Sequence, residues 1–138
     1  GELVEIAARP GGGSLQYMAK ISYGYCTISA ALPAAEGKPP APVPVLQPTG
    51  RVAVGLTMLC DEGRLRSVEI AEGLLPHPDI FNFTVLPKAG TFIKRPPNGN
   101  DILAYIGATG DTLDAALCNA ASIAAQVRVQ FDVAEATT

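Results

Sequence analysis

A proline-rich segment over residues 38–50 divides the chain. It reads Lys-Pro-Pro-Ala-Pro-Val-Pro-Val-Leu-Gln-Pro-Thr-Gly. Proline fixes its own φ and has no amide hydrogen to donate, so alternate prolines favour extended polyproline II over a helix. We interpret the segment as a stiff linker because the residues after it change character abruptly. A docking site for a partner that binds polyproline II is the alternative.

The stretch before this segment begins with an apolar run that carries two charges, Leu-Val-Glu-Ile-Ala-Ala-Arg-Pro over residues 3–10. Side chains of a strand alternate between its faces, so Glu5, Ala7 and Arg9 share one face and the other face is apolar. Pro10 cannot donate to a ladder, and we expect the strand to end there. A solvated edge strand is the alternative to a functional site at this position.

A glycine loop follows the predicted strand and consists of Gly11, Gly12, Gly13 and Ser14. Glycines permit a positive φ and a close approach of the backbone to a ligand, and successive free amides can bind an anion. We expect Ser14 to cap a helix that begins at Leu15. A carboxylate for a hard cation, a guanidinium for an oxyanion and free amides suit magnesium–phosphate chemistry. The loop is neither a P-loop nor a dinucleotide-binding fingerprint, because it lacks the spacing of both.

Residues 5–13, Glu-Ile-Ala-Ala-Arg-Pro-Gly-Gly-Gly, resemble the last catalytic motif of the ATP-grasp carboxylate–amine ligases, Glu-x-Asn-x-Arg followed by glycines. The resemblance implies that Glu5 is a magnesium ligand bridging the phosphates of ATP, and that Arg9 is catalytic and holds the carboxylate substrate or its acyl phosphate. It assigns cofactor binding and the border of the substrate pocket to Gly11, Gly12, Gly13 and Ser14. Ala7 stands where the family has a metal-binding Asn. Either the second magnesium is held differently or this member is catalytically weakened.

The region from Val52 to about Asp132 resembles the C-terminal domain of the L-amino-acid-ligase branch of the same superfamily. The resemblance is carried by Gly63, Val68-Glu69-Ile70, Lys88-Ala89-Gly90 and the run from Ile106 to Thr112. It implies an enzyme that phosphorylates a carboxylate with MgATP, lets an amine attack the acyl phosphate and releases ADP. The family binds ATP mainly through residues located before the Glu5 motif. We therefore expect a C-terminal piece of a larger ligase that is inactive alone.

The fold class expected from the pattern is α+β. Short helices are predicted over residues 14–22 and 25–36, with Pro33 in conflict and Gly37 at the second C-terminus. The apolar run 51–60 predicts a strand buried on both faces, followed by a hairpin turn at Asp61-Glu62-Gly63. Further strands are predicted over residues 65–70, 80–86, 91–94, 102–108 and 126–133.

A helix is predicted after Gly110, with Asp111 as its N-cap and an apolar stripe on one side. The stripe consists of Leu113, Ala116, Leu117, Ala120, Ile123 and Ala124. The sum is a mainly antiparallel sheet with a helix packed on one face, preceded by the last strand and helices of an ATP-grasp domain. The expected division is 1–37 for the end of the catalytic domain, 38–50 for the linker and 51–138 for a C-terminal α+β subdomain.

Composition restricts the partners. The net charge of −3 argues against a nucleic-acid or anionic-membrane surface, and no apolar run approaches the roughly 20 residues of a membrane span. Cys26, Cys60 and Cys118 are widely spaced, which favours buried free thiols over a metal or catalytic role and, with no visible signal peptide, a cytoplasmic location. The expected partners are small-molecule carboxylate and amine substrates, the remainder of the enzyme and, as an open alternative, a second copy in a homodimer.

Other polar clusters are weaker candidates. His77 is interpreted as a loop residue, Asp61 and Glu62 as solvated turn charges, and Asp111 as a cap rather than part of a phosphate site. Lys94 and Arg95 with Asn98 and Asn100 either bind an anion or solubilise a hairpin. A second hypothesis for the whole chain, favoured by Ala7, is a non-catalytic α+β binding or oligomerisation module in which the Glu5 motif is a relic.

Overall fold

A computed structural model describes residues 12–39, 42 and 44–132 of the chain. The strand predicted over residues 3–9 and the tail predicted from Glu135 lie outside the described residues. Two short helices come first, α1 over Leu15–Tyr23 and α2 over Thr27–Ala35. Both were predicted within two residues of these bounds. Among the described residues, no helix combines the length and the apolar character that a membrane span requires.

The end of α2 explains how a helix accommodates Pro33. The proline lies in the last turn, so the helix ends two residues later at Ala35. Gly37 then adopts φ +73°, its amide donates to Ala34 O at 3.1 Å, and the Lys38 amide donates to Pro33 O at 2.8 Å. This pair of bonds is a Schellman motif, which favours glycine at the left-handed position. The prediction of Gly37 as the terminating glycine is confirmed.

The end of the proline-rich segment is fastened to α1. Thr49 donates its amide to Ser22 O at 2.9 Å and its hydroxyl to Ile21 O at 2.6 Å. These bonds satisfy carbonyl groups in the last turn of α1, where a helix leaves acceptors without internal partners. The chain therefore enters the first strand from a fixed point beside this helix.

Six strands and a third helix make up the rest of the described chain. The strands are β1 (Val52–Met58), β2 (Gly63–Ile70), β3 (Ile80–Val85), β4 (Phe92–Ile93), β5 (Ala104–Gly110) and β6 (Val127–Phe131), and α3 spans Leu113–Ala124. All the pairings are antiparallel. The predicted α+β class, with antiparallel strands and a helix packed on them, is confirmed.

The strands form two three-stranded sheets. The first has the order β1-β5-β3 and the second the order β4-β2-β6. The hairpin predicted at Asp61-Glu62-Gly63 is therefore wrong, because β1 and β2 belong to different sheets. The turn residues serve a crossing between the sheets instead, where Arg95 Nη1 lies 3.2 Å from Asp61 Oδ1. Turn chemistry indicates where a chain bends, but the partner of a strand depends on distant residues.

The core lies between the sheets and under α3. One buried cluster contains Leu65, Ile93, Leu103 and Ala104, and a second contains Ile106, Ala108, Ala120 and Ile123. Met58 packs against both clusters. Small side chains at Ala116 and Ala120, both fully buried, let α3 lie close to the first sheet.

Two expectations about burial are wrong. Leu113 and Leu117, predicted in the buried stripe of α3, are 56% and 47% exposed because the contact line runs through Ala116, Ala120 and Ile123. Strand β1 is not buried on both faces, since Gly55 and Thr57 are exposed. One face of β1 packs under α3, and the other is covered only in part by α1. We call this second face of the first sheet the outer face.

Candidate functional site

Part of the predicted site lies within the described chain. Glu5, Arg9 and Gly11 lie outside the described residues, whereas Gly12, Gly13 and Ser14 form the turn that leads into α1. Gly13 adopts φ +65°, the left-handed conformation that the glycine run predicts. The prediction that the Ser14 side chain caps α1 is wrong. With φ −97° and ψ 11° its backbone is not extended, and its hydroxyl makes no capping bond.

Two glycines form the centre of the outer face. Gly55 of β1 and Gly107 of β5 are register partners in the antiparallel ladder. A β-carbon built at Gly55 would lie 3.5 Å from the sulfur of Met18, which shows that α1 rests on this strand. A β-carbon at Gly107 would lie 2.5 Å from the ring of Phe81. The missing side chains therefore let α1 and an aromatic ring approach the sheet backbone.

An irregularity in β3 directs two successive side chains to this face. The register between β3 and β5 shifts between Ile80 and Asn82, so Phe81 and Asn82 together oppose one residue, Gly107. Such a bulge re-aims side chains, and bulges are frequent next to functional sites. Ile80 and Phe83 pack with the core cluster under α3. Phe81 instead lies on Gly107, with its ring centroid 6.4 Å from that of Tyr17.

Asn82 connects the outer face to the glycine loop. Its Nδ2 donates to Ser14 Oγ at 3.2 Å, and its Oδ1 accepts from Thr84 Oγ1 at 3.0 Å. Both ends of the amide group are therefore held, which restricts the orientation of the side chain. Ser14 is free to accept this bond because its hydroxyl does not cap the helix.

A cavity of about 400 Å³ lies between the glycine loop and the outer face. Its polar side chains belong to Ser14, Thr57 and Tyr105, and none of the described residues that line it is charged. Thr57 and Tyr105 are register partners, so their side chains share one face of the sheet. The described part of the cavity thus offers hydroxyl and amide groups, which suit a polar small molecule.

The described residues do not by themselves fit a magnesium site. Mg²⁺ prefers carboxylate oxygens, and the described lining of the cavity provides none. Within the described ranges, no three His, Cys, Asp or Glu side chains lie together as a metal site would require. Metal binding at this corner would therefore need ligands from outside the described residues, where the predicted ligand Glu5 lies.

A charged cluster holds the start of β1. Arg51 donates from Nη2 to Asp79 Oδ1 and to Thr109 Oγ1, and from Nη1 to Asp111 Oδ1, each at 2.7 Å. The hydrogen bond from Arg51 holds the pKa of the Asp79 carboxyl below its usual range, and Asp79 in turn raises the pKa of Arg51. The cluster joins β1, the turn before β3 and the turn after β5. Because it joins these three segments, the cluster is a structural clamp at the junction with the proline-rich segment.

The position of Asp111 corrects the predicted start of α3. Asp111 pairs with Arg51, and Thr112 is the N-cap, with its Oγ1 accepting from the Ala115 amide at 3.1 Å. Thr112 has the extended backbone that N-cap residues favour, with φ −133° and ψ 164°. The run from Gly107 to Asp111 therefore serves strand pairing and the clamp.

The remaining polar candidates make local hydrogen bonds in the described chain. His77 lies in a loop, as predicted, and its Nδ1 accepts from the Asp79 amide at 3.2 Å. The backbone amide of Lys94 donates to Asp101 Oδ2 at 2.9 Å, which closes the 94–101 loop on itself. The backbone amide of Arg95 in this loop lies 3.5 Å from Glu62 Oε2.

The cysteines are free, as predicted, but the expectation that they are buried is wrong. Cys118 is exposed, and Cys26 and Cys60 are half-buried. Ser29 donates its hydroxyl to Cys26 Sγ at 3.2 Å, which lowers the pKa of the Cys26 thiol. Burial and the nearby Asp61 carboxylate raise the pKa of Cys60. The pKa values of the two thiols are therefore shifted in opposite directions.

The comparison with protein families agrees with the fold. The sequence model described as "L-amino acid ligase C-terminal domain 2" matches residues 56–132, more than half of the chain. The chain belongs to this family. The resemblance noted from the residues after Val52 is thereby confirmed. No curated protein sequence matches the chain at a significant level.

Two solved structures share the fold. The L-amino acid ligase from Bacillus licheniformis superposes with a TM-score of 0.78 at 15% identity, over 91% of this chain and 31% of that one. The phosphoribosylglycinamide synthetase from Anaerococcus prevotii superposes with a TM-score of 0.66 at 19% identity, over 86% of this chain and 30% of the synthetase chain. This chain thus spans about a third of the length of either protein. The superposition extends beyond residues 56–132, so the shared fold includes part of the chain before the family domain.

Proposed function

We propose that this chain is the C-terminal part of an ATP-dependent, ADP-forming ligase that joins a carboxylate to an amine through an acyl phosphate. The observation that carries the proposal is the family match over residues 56–132. The fold shared with the Bacillus licheniformis L-amino acid ligase over 91% of the chain supports it. The substrates are a small carboxylate and an amine, and the remainder of the enzyme is the principal partner.

The proposed division is 1–37 for the end of the catalytic domain, 38–50 for the linker and 51–138 for the C-terminal subdomain. The location of the cavity supports a catalytic role for the first part, because the glycine loop lies directly against the outer face of the family domain. Three free cysteines are consistent with a reducing, cytoplasmic compartment. Association into a homodimer is a separate proposal.

Each residue of the motif has a proposed task. Glu5 binds magnesium, and Arg9 holds the carboxylate or its acyl phosphate, for which a guanidinium is suited by its bidentate geometry. Bound MgATP supplies the phosphoryl group that activates the carboxylate. Gly12, Gly13 and Ser14 border the pocket with backbone amides and one hydroxyl, and they help to exclude water from the reacting groups. In phosphoryl transfer the protein acts mainly by positioning and charge stabilisation.

Substitution of the two charged residues in the full-length protein tests these assignments. Glu5→Gln and Arg9→Met are expected to reduce amine-dependent ADP formation by roughly 100-fold or more, with unchanged thermal unfolding. Glu36→Gln and Arg95→Met are matched controls, since both residues form ion pairs away from the cavity at 2.6 and 3.2 Å. Undiminished ligation in both Glu5→Gln and Arg9→Met would contradict the site. A polypeptide limited to residues 1–138 is expected to form no ADP.

A non-catalytic binding or oligomerisation module is the second candidate, and Ala7 is the observation that favours it. Alanine cannot ligate a metal, whereas the ligase pattern has Asn at this position. Magnesium-dependent binding of ATP to the full-length protein discriminates the two candidates. The ligase predicts binding that is lost when magnesium is chelated, and the module predicts no nucleotide binding with or without the metal.

A further inference from the structure

We propose that Asn82 is a positioning residue that fixes the end of the glycine loop through Ser14 and so orients the carboxylate substrate. The inference rests on the proposed function, because it assigns the loop to a substrate pocket. It extends that function from the N-terminal motif to a residue of the C-terminal family domain. Its basis is the hydrogen bond of 3.2 Å from Asn82 Nδ2 to Ser14 Oγ.

The bond joins residues that are 68 positions apart in sequence. Ser14 is the last residue of the glycine loop, and Asn82 lies within the strand β3 of the first sheet. A bond of this kind cannot form from local chain geometry, so it reports how the loop is placed on the domain. The loop carries glycines, which lose the most conformational freedom when they are ordered. An external anchor at Ser14 offsets part of that cost.

The anchoring side chain of Asn82 is itself held by a second hydrogen bond. Thr84 donates to the Asn82 amide oxygen at 3.0 Å, which leaves the amide nitrogen directed at Ser14. The bulge in β3 brings Asn82 to the outer face opposite Gly107, on the side of the sheet where Ser14 lies. A supporting residue can hold a functional group to within a fraction of an ångström only if its own orientation is fixed.

The Ser14 hydroxyl makes no capping bond to α1. Among the residues that the structure describes, its hydrogen-bond partner is Asn82. The loop and the outer face enclose the same cavity of about 400 Å³. A shift of Ser14 would therefore move the wall of the cavity rather than the start of the helix alone.

The kinetic signature separates positioning from a general structural effect. Under the proposed function, Gly12, Gly13 and Ser14 border the substrate pocket. Loss of the contact with Asn82 should therefore affect the carboxylate and not the nucleotide. We expect Asn82→Ala in the full-length protein to lower kcat about five- to thirtyfold and to raise KM for the carboxylate, with KM for ATP unchanged. A purely structural loss would lower the active fraction, and kcat would fall with both KM values unchanged.

A double-mutant cycle supplies the second readout. Ser14→Ala and Asn82→Ala remove opposite ends of one bond, so the double variant should be no worse than the more impaired single variant. Asn119→Ala is the matched control, because Asn119 is also half-buried and its side-chain amide donates to a distant residue, to Thr109 O at 2.9 Å. It lies on α3, on the opposite side of the sheet, and its loss should leave both KM values and kcat per active site unchanged.

Hydrogen–deuterium exchange of residues 12–20 makes the inference testable apart from the enzyme activity. Asn82→Ala is expected to increase exchange in this segment, and Asn119→Ala is not. Suppose that the wild type is active and that Asn82→Ala leaves kcat, the KM values and exchange unchanged. That result would overturn this inference and leave the proposed function standing. Additive losses of Ser14→Ala and Asn82→Ala in the double variant would do the same. A full-length wild type that forms no ADP with any carboxylate and amine would overturn the proposed function, and the exchange result would still decide whether Asn82 holds the loop.

Discussion

The ring of Phe81 lies against the α-carbon of Gly107, so close that a methyl group there would stand 2.5 Å from the ring. The ring in turn approaches Tyr17 of α1, at 6.4 Å between centroids. The contact links the centre of the first sheet to the helix that follows the glycine loop. Glycine at position 107 is thus a condition for the placement of α1.

Gly107→Ala should therefore destabilise this region in the full-length protein. We expect a cost of about 1–3 kcal/mol, because the ring must move and α1 with it. The measurement is amide exchange in residues 15–23 and 80–85. Gly55→Ala, at the register partner, is the control, since its new methyl group would meet Met18 Sδ at an ordinary 3.5 Å. Equal effects of the two substitutions would contradict the packing described.

The Arg51–Asp79 contact predicts a pH dependence. The pKa of Asp79 is lowered in the folded protein, so its contribution to stability is present above the ordinary aspartate pKa of about 3.9. The contribution is lost as the pH falls through the lower pKa of the folded state. The difference in unfolding midpoint between wild type and Asp79→Asn should be present at about pH 7, should shrink as the pH falls below about 3.9, and should vanish only below the pKa of the folded state.

The partner residue provides the check on this assignment. Arg51→Met should lower the midpoint at neutral pH, and adding Asp79→Asn to it should cause little further loss, because both changes remove the same contact. A midpoint difference that stays constant from neutral to acid pH would contradict the role of the Asp79 charge.

The two half-buried thiols should differ in reactivity. The hydrogen bond from Ser29 lowers the pKa of Cys26, whereas burial raises the pKa of Cys60. The thiolate is the nucleophile, so Cys26 is expected to react faster with iodoacetamide at neutral pH and to keep its reactivity to lower pH. Mass spectrometry of the labelled peptides measures both rates. Ser29→Ala should slow the reaction of Cys26, and equal rates in the wild type would contradict the prediction.

Thr112, rather than Asp111, should control the start of α3. Thr112→Ala removes the bond to the Ala115 amide and is expected to cost about 1 kcal/mol. Asp111→Ala removes an ion pair whose carboxylate side chain is 82% exposed, and its expected cost is within about 0.5 kcal/mol. Amide exchange in residues 113–124 compares the two variants. A larger increase in amide exchange for Asp111→Ala than for Thr112→Ala would contradict the assignment of Thr112 as the N-cap.

Much of the fold followed from local pattern. Strands were predicted from alternation and helices from their apolar spacing, since both signals depend on near neighbours in sequence. The partition into two sheets did not follow, because Asp61-Glu62-Gly63 looks the same whether it closes a hairpin or crosses between sheets. The predicted N-cap of α3, Asp111, was one residue too early. The Asp111 side chain pairs with the distant Arg51, and this pairing cannot be read from the local sequence.

The site was predictable only where a motif exists. Glu5 and Arg9 were predicted from the ligase pattern and lie outside the described residues. Asn82 was missed because strict alternation placed it on one face with Ile80, whereas the bulge moves it to the other. The residues Ile80, Phe81, Phe83 and Val85 break the alternation of β3, and this break is the one signal of a bulge in the sequence. Its consequence, a bond to Ser14, required the tertiary structure.

The most direct test of the proposed function is the nucleotide product of the full-length protein. Purified protein is incubated with MgATP, a panel of small carboxylates and a panel of amines, and the products are resolved by phosphorus NMR and mass spectrometry. We predict ADP, phosphate and an amide product that appear together only when both substrates are present. Formation of AMP and pyrophosphate, or no consumption of ATP with any pair, would contradict the ligase.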